Sequence, residues 1–231
     1  MDSAHEADLS AVPVSMGSTT ETSSMASPQG ILQTAWAFLN RKEIKFILII
    51  FLLAFGVRAQ LMRYELFFEF DSYWHARMVS YVIQGQGIPT IDPLGYYHNP
   101  AAAAFSSPPV LFWYISAAIY KLFTFNAPYD FELWVLFVKI LPALYGALIS
   151  VGMFFLGKEL FKGPHENEAG LFAGLFAAIV PAFVYRTMGG FFEDDSLGFI
   201  WMVIGLVFYL RATHQPEWKK ENWMNALFAG I

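Results

Sequence analysis

Residues 133–156 read LWVLFVKILPALYGALISVGMFFL, 24 residues with one charged side chain, Lys139. A stretch this apolar exceeds the ~20 residues a helix needs to cross a bilayer. It constrains the fold more than any other feature, because it calls for lipid on at least one side. Four further apolar stretches occupy residues 44–62, 109–125, 169–187 and 196–211. Composition agrees: 56% of the chain is hydrophobic and 14% charged, against roughly 25% charged in soluble domains. The expected fold class is therefore all-α, a polytopic membrane helical bundle. The chain has no cysteine, which excludes disulfides and thiolate metal sites. Its net charge of −5 gives no reason to expect a nucleic-acid partner.

Orientation follows from the basic residues. If 109–125 crossed, Lys158, Lys162, Arg211, Lys219 and Lys220 would face away from Arg41, Lys42 and Lys45. The positive-inside rule favours one shared side. Residues 109–125, only 17 long and carrying Lys121, are thus expected to lie at the membrane surface. The N-terminus is then cytoplasmic, with 64–132 a long first external loop and 188–196 a second external turn. Residues 1–30 lack Lys, Arg and aromatics and read as a disordered cytoplasmic tail. Residues 31–40 suit a short interfacial helix. The last residues, WMNALFAGI, stand inside another apolar run, so the chain is expected to be part of a longer reading frame.

Two acidic groups stand at the ends of apolar stretches. Asp71 falls nine residues past the first one, ahead of the helical pattern SYWHARMVSYVI, whose N-cap it could be. Glu193, Asp194 and Asp195 open the apolar run that begins at 196. One acid at a helix start needs only the helix dipole as explanation. Three in succession exceed what capping requires: two close carboxylates repel by about 4 kcal/mol at 4 Å and an effective dielectric near 20. A divalent cation would relieve that repulsion, and oxygen donors suit Mg2+ or Mn2+. The expected topology puts Asp71 and 193–195 on one membrane face. His75, four residues after Asp71, is either a ligand or a hydrogen-bonded histidine. Arg77 and Arg186 either bind phosphate or snorkel to the interface.

The segment FEFDSYWHARMVSYVIQGQGIPTIDPLGYY resembles the first external loop of the oligosaccharyltransferase catalytic subunit, in its archaeal form. The block GKELF…EAGLFAGLFAAIVPAFVYRTMGGFFEDDSLGFI resembles the same family's next block, in which an acid-any-acid motif follows an Arg-Thr/Ser-x-x-Gly lead-in. The resemblance implies the N-terminal membrane part of a C-type glycosyltransferase, with the C-terminal soluble domain absent. It implies protein N-glycosylation: an oligosaccharide passes from a dolichyl phosphate or pyrophosphate donor to Asn of an Asn-x-Ser/Thr sequon. The implied partners are the lipid-linked oligosaccharide, the acceptor protein and membrane lipid. By position, Asp71 would be catalytic and would bind Mn2+ or Mg2+ together with Glu193 and Asp195, with Asp194 as a possible substitute. Arg77, Arg186 and His75 would bind substrate. The implied location is the cell membrane, multi-pass, with the active site on the external or lumenal face. Glu193 departs from the family's usual aspartate. The family's later glutamate loop lies outside this sequence.

Two other readings remain at this point. One is an inactive fragment or paralogue that binds carrier lipid as an accessory membrane subunit. The other is a different membrane glycosyltransferase of the O-mannosyl type.

Overall fold

The computed structural model describes residues 40–89, 94, 109–214 and 220–230. The expected tail, the interfacial helix over 31–39 and most of 90–108 lie outside the described residues. Every regular element among those described is helical. Helix α1 spans Lys42–Ala59 and ends in a 3-10 turn, Gln60–Arg63. Then come α2 (Phe70–Ile83), α3 (Val110–Phe123), α4 (Phe131–Leu160), α5 (Glu166–Ile179), α6 (Pro181–Arg186), α7 (Asp195–Thr213) and α8 (Lys220–Ala229). Three segments are long and apolar enough to cross a membrane: Lys42–Arg63, Phe131–Leu160 and Asp195–Thr213.

α1 is apolar all round, but only Ile50, Ala54 and Arg58 are fully buried. Their spacing of four defines one narrow packed stripe. Leu48, Ile49, Leu52 and Leu53 point outward, as lipid-facing side chains do. Where α1, α4 and α5 meet, Ala54, Ala147 and Ala178 form a small buried cluster. Small residues let membrane helices approach closely. A Cβ on Gly174 would fall 2.6 Å from the Ile50 Cδ1, so the packing admits no larger residue there.

The expected continuous helix over 169–187 is broken. Val180 is extended (φ −62°, ψ 125°), and α6 restarts at Pro181. A proline disfavours helix for the residue before it and lacks the N–H that would continue the ladder. The two pieces still run the length of α1. Glu168 pairs with Lys42 at one end, and Ala178 meets Arg58 near the other.

α4 runs antiparallel to α1, with Lys158 paired to Glu43 and Lys139 Nζ bonded to the Tyr64 carbonyl. Its 30 residues span about 45 Å, well over the ~30 Å hydrocarbon thickness. α7 returns beside α4, tied by Arg211 to Glu159. α8 folds back on it through Phe208 and Phe228. α2 and α3 lie between the end of α1 and the start of α4, which share one end of the bundle. α3 has 14 residues, about 21 Å, too short to cross. It packs on α2, where Trp113 Nε1–H donates to His75. Together these elements build an aromatic core of Phe112, Trp113, Tyr120, Trp134 and Phe192 under that end.

Candidate functional site

α2 buries Ser72, His75, Ala76, Met78, Val79, Ser80 and Ile83, somewhat more than half of its surface. Its N-cap is Glu69, which makes no side-chain cap bond. Asp71 is therefore not the cap: it sits inside the first helical turn and is exposed. That leaves its carboxylate free of the capping role the sequence allowed.

The acidic turn is pinned from three sides. Gly189 N–H donates to the Arg58 carbonyl (3.0 Å), Phe68 N–H to the Gly190 carbonyl (3.3 Å), and Phe192 N–H to Ser72 Oγ (2.9 Å). The two glycines are required for different reasons. A Cβ on Gly189 would fall 2.3 Å from Met62 Cγ, while Gly190 holds φ 90° in the left-handed region. Phe192 then anchors the turn in the core against Phe112 and Trp134.

Beyond that anchor the carboxylates fan out. Glu193 is buried (6% exposed), and its Oε2 lies 3.2 Å from Arg186 Nη1. The same Nη1 lies 3.5 Å from Asp195 Oδ2, so one guanidinium nitrogen bridges both outer acids. Asp194 is the N-cap of α7 without a cap bond, and its Oδ1 stands 3.7 Å from His75 Nε2. Burial pushes the Glu193 carboxyl up to about 7. Arg186 opposes this, and the charges of Asp195, Glu69 and Asp71 add to it.

His75 is hydrogen-bonded rather than solvent-facing. Its Nδ1 accepts from Trp113 Nε1–H at 2.8 Å. Burial pushes the imidazolium down to about 4, against the pull of Asp71 and Asp195. The ring is thus neutral at physiological pH. With Nδ1 an acceptor, its proton sits on Nε2, facing Asp194.

The structure brings Asp71, His75, Arg186, Glu193, Asp194 and Asp195 to one end of the bundle. Arg77 stands two residues from His75, about 200° round the helix from it. Glu69 also belongs to the acidic group, as its effect on Glu193 shows. Five carboxylates therefore gather here, and Arg186 bridges two of them. The donors are hard oxygens, of the kind Mg2+ and Mn2+ take. Among the described residues no three His, Asp or Glu side chains converge on one point. Arg186 occupies the space between Glu193 and Asp195.

Sequence reasoning missed Glu69, Ser72, Trp113 and Arg58, and it met Thr187 only as part of the Arg-Thr/Ser-x-x-Gly lead-in. Arg58 carried a signal of its own, a charge within the apolar run FLLAFGVRAQL.

The family model for oligosaccharyl transferase STT3, N-terminal, matches residues 42–231. The chain belongs to this STT3 family. Archaeal oligosaccharyltransferase AglB from Archaeoglobus fulgidus, in complex with an inhibitory peptide and a dolichol-phosphate, has the same fold. The TM-score is 0.65 at 20% identity, over 87% of this chain and 23% of that one. The Archaeoglobus fulgidus oligosaccharyltransferase in complex with Zn and sulfate matches with a TM-score of 0.64 at 21% identity, over 80% and 24%. The chain thus spans less than a quarter of the length of these two proteins. Compared by sequence, no curated protein matches. The STT3 family is one of glycosyltransferases, and this member carries the family's N-terminal membrane part.

Proposed function

We propose that this end of the bundle is part of the active site of an enzyme that transfers an oligosaccharide from a dolichyl phosphate or pyrophosphate to Asn in Asn-x-Ser/Thr. The observation that carries the reading is the acidic cluster: Glu69, Asp71 and 193–195 gather beside Arg186 at the end of three apolar helices. Their position suits a donor whose reacting phosphate is tethered to lipid. The solved AglB complex, which holds a peptide and a dolichol-phosphate, supports the choice of partners.

An amide nitrogen is a weak nucleophile because its lone pair is shared with the carbonyl. Asp71, exposed and with no cap to serve, would accept an N–H of the acceptor amide and draw electron density toward the nitrogen. Arg186, half-exposed beside Glu193 and Asp195, would offer its remaining N–H groups to donor phosphate oxygens. His75 Nε2–H, held by Trp113, would orient Asp194. Asp71, Glu193 and Asp195 would hold Mg2+ or Mn2+ once Arg186 turns away from between the two outer acids. When bound, that cation would stabilise charge developing on the leaving phosphate. The site faces the external or lumenal side, with Lys42, Lys45, Lys158 and Arg211 on the cytoplasmic one, as the positive-inside rule prefers.

The test uses full-length protein, a lipid-linked oligosaccharide and two peptides, one with Asn-x-Thr and one with Ser as its sole hydroxyl acceptor. Transfer to the Asn peptide alone, lost in Asp195→Ala, is expected. Transfer to the Ser peptide would move the chain to the O-mannosyl class.

A further inference from the structure

Arg58 lies inside an apolar helix and is completely buried. Among the described residues no carboxylate forms an ion pair with it. A charge at such depth is expensive and marks function more often than stability. Four of its five N–H groups are used. Nε donates to Thr187 Oγ1 (2.6 Å), Nη1 to the carbonyls of Ala54 (3.1 Å) and Ala178 (3.0 Å), and Nη2 to the carbonyl of Ala177 (3.2 Å).

Two of these acceptors exist because α5 is broken. The last four carbonyls of a helix have no partner in their own ladder. Val180 N–H satisfies Phe176. Pro181 has no N–H to give Ala177, and the extended Val180 ends the ladder before Ala178. The guanidinium fills both places, at the negative end of the α5 dipole. The fit is tight. A Cβ on Gly146 would stand 2.2 Å from Arg58 Nε and 2.6 Å from Thr187 Oγ1. Thr187 begins the turn that carries the acids, and Arg58's own carbonyl takes the N–H of Gly189 two residues later. One residue on α1 therefore grips the helix break, the first side chain of the turn and the turn's backbone.

We propose that Arg58 is a positioning residue that sets where Glu193, Asp194 and Asp195 stand relative to Asp71. A purely stabilising design would keep α5 continuous and the stripe apolar. Here the break and the arginine occur together, and they aim the turn at α2. A lysine could supply the charge but not the planar four-way grip. The inference rests on the catalytic reading above only for its effect on turnover.

The experiment places spin labels at Phe70→Cys on α2 and Gly198→Cys on α7, in full-length protein otherwise free of cysteine. Phe70 is exposed, and a Cβ on Gly198 meets open space. The expected result is a single narrow distance distribution that broadens in both Arg58→Met and Arg58→Lys. In the transfer assay kcat falls about 100-fold, the loss a 1 Å misplacement can bring, with the donor KM little changed. If Arg58→Met does not insert, Thr187→Val keeps the shape, removes the Arg58 Nε bond together with the hydroxyl's bond to the Phe183 carbonyl, and should broaden the distribution less. An unchanged distribution in Arg58→Met, or in Thr187→Val where that stands in, overturns the proposal, as does full rescue by Arg58→Lys. Broadening in the Arg58 variants of a protein whose wild type transfers nothing would uphold the positioning role and sink the catalytic reading instead.

Discussion

The two ends of this bundle are both crowded with charge, yet they arrange it differently. At the end where α1 and α5 begin and α4 and α7 finish, Glu43, Glu159, Glu166 and Glu168 meet Lys42, Lys158, Lys162 and Arg211. Four carboxylates face four cations, and buried Glu159 is held by both Lys162 (2.7 Å) and Arg211 (2.8 Å). At the opposite end Glu69, Asp71 and 193–195 gather beside Arg186, which pairs with Glu193 and Asp195. The first end ties helices together; in the reading proposed above, the acidic end serves a ligand.

The largest effect should break the comparison outright. Asp71→Ala is expected to lower transfer by about 1,000-fold or more, as losing a group that acts on the reacting atoms does. Membrane insertion and thermal stability should be unchanged, because Asp71 makes no cap. Glu159→Ala should do the reverse in a thermal melt and transfer assay: about 1–2 kcal/mol of stability lost from a charged hydrogen-bond network with half-exposed partners, and turnover within a few-fold of wild type. If Glu159→Ala removes activity while Asp71→Ala does not, the assignment of the two ends is reversed.

A smaller effect tests the histidine. Trp113→Phe keeps the aromatic packing and deletes the N–H that fixes the His75 ring. About 1 kcal/mol of stability should go with the hydrogen bond, and a nitrogen-15 spectrum of His75 should show the proton no longer confined to Nε2. An unchanged spectrum would mean the tautomer is set by something else.

Smallest is a pH effect. The folded Glu193 carboxyl titrates near 7, above its usual 4.5, so the folded state binds more protons than the unfolded one between those values. Its contribution to stability is therefore fully present below the unfolded value and lost as pH rises through about 7. In metal-free protein the melting temperature should fall modestly from pH 5 to 8, and Glu193→Gln should flatten that slope. A wild-type profile that rises over the same range would contradict the burial of this acid.

The sequence made α1, α4 and α7 legible because each is a long run whose hydropathy needs no partner to interpret. α3 was legible as a short helix from its apolar run. The break at Val180 was present as a proline, but within a run whose average hydropathy looks continuous. The acids could be found locally, as neighbours in a motif. Arg58 could not be understood that way. Its side-chain partners Ala177, Ala178 and Thr187 lie 119 to 129 residues along the chain. No periodicity links it to them. Before the fold is known, an arginine near a helix end looks like one that snorkels to water. Likewise the N-cap position open to Asp71 falls to Glu69, a two-residue shift that pattern alone does not resolve.

The most direct test of the acidic cluster is Mn2+ binding followed by electron paramagnetic resonance, in full-length protein reconstituted in lipid. The account predicts one site whose affinity drops about 10-fold or more in Asp71→Asn and in Asp195→Asn, as removal of a ligand carboxylate should bring, and stays unchanged in Glu159→Gln. Equal binding in all four proteins, or loss only in Glu159→Gln, would contradict it.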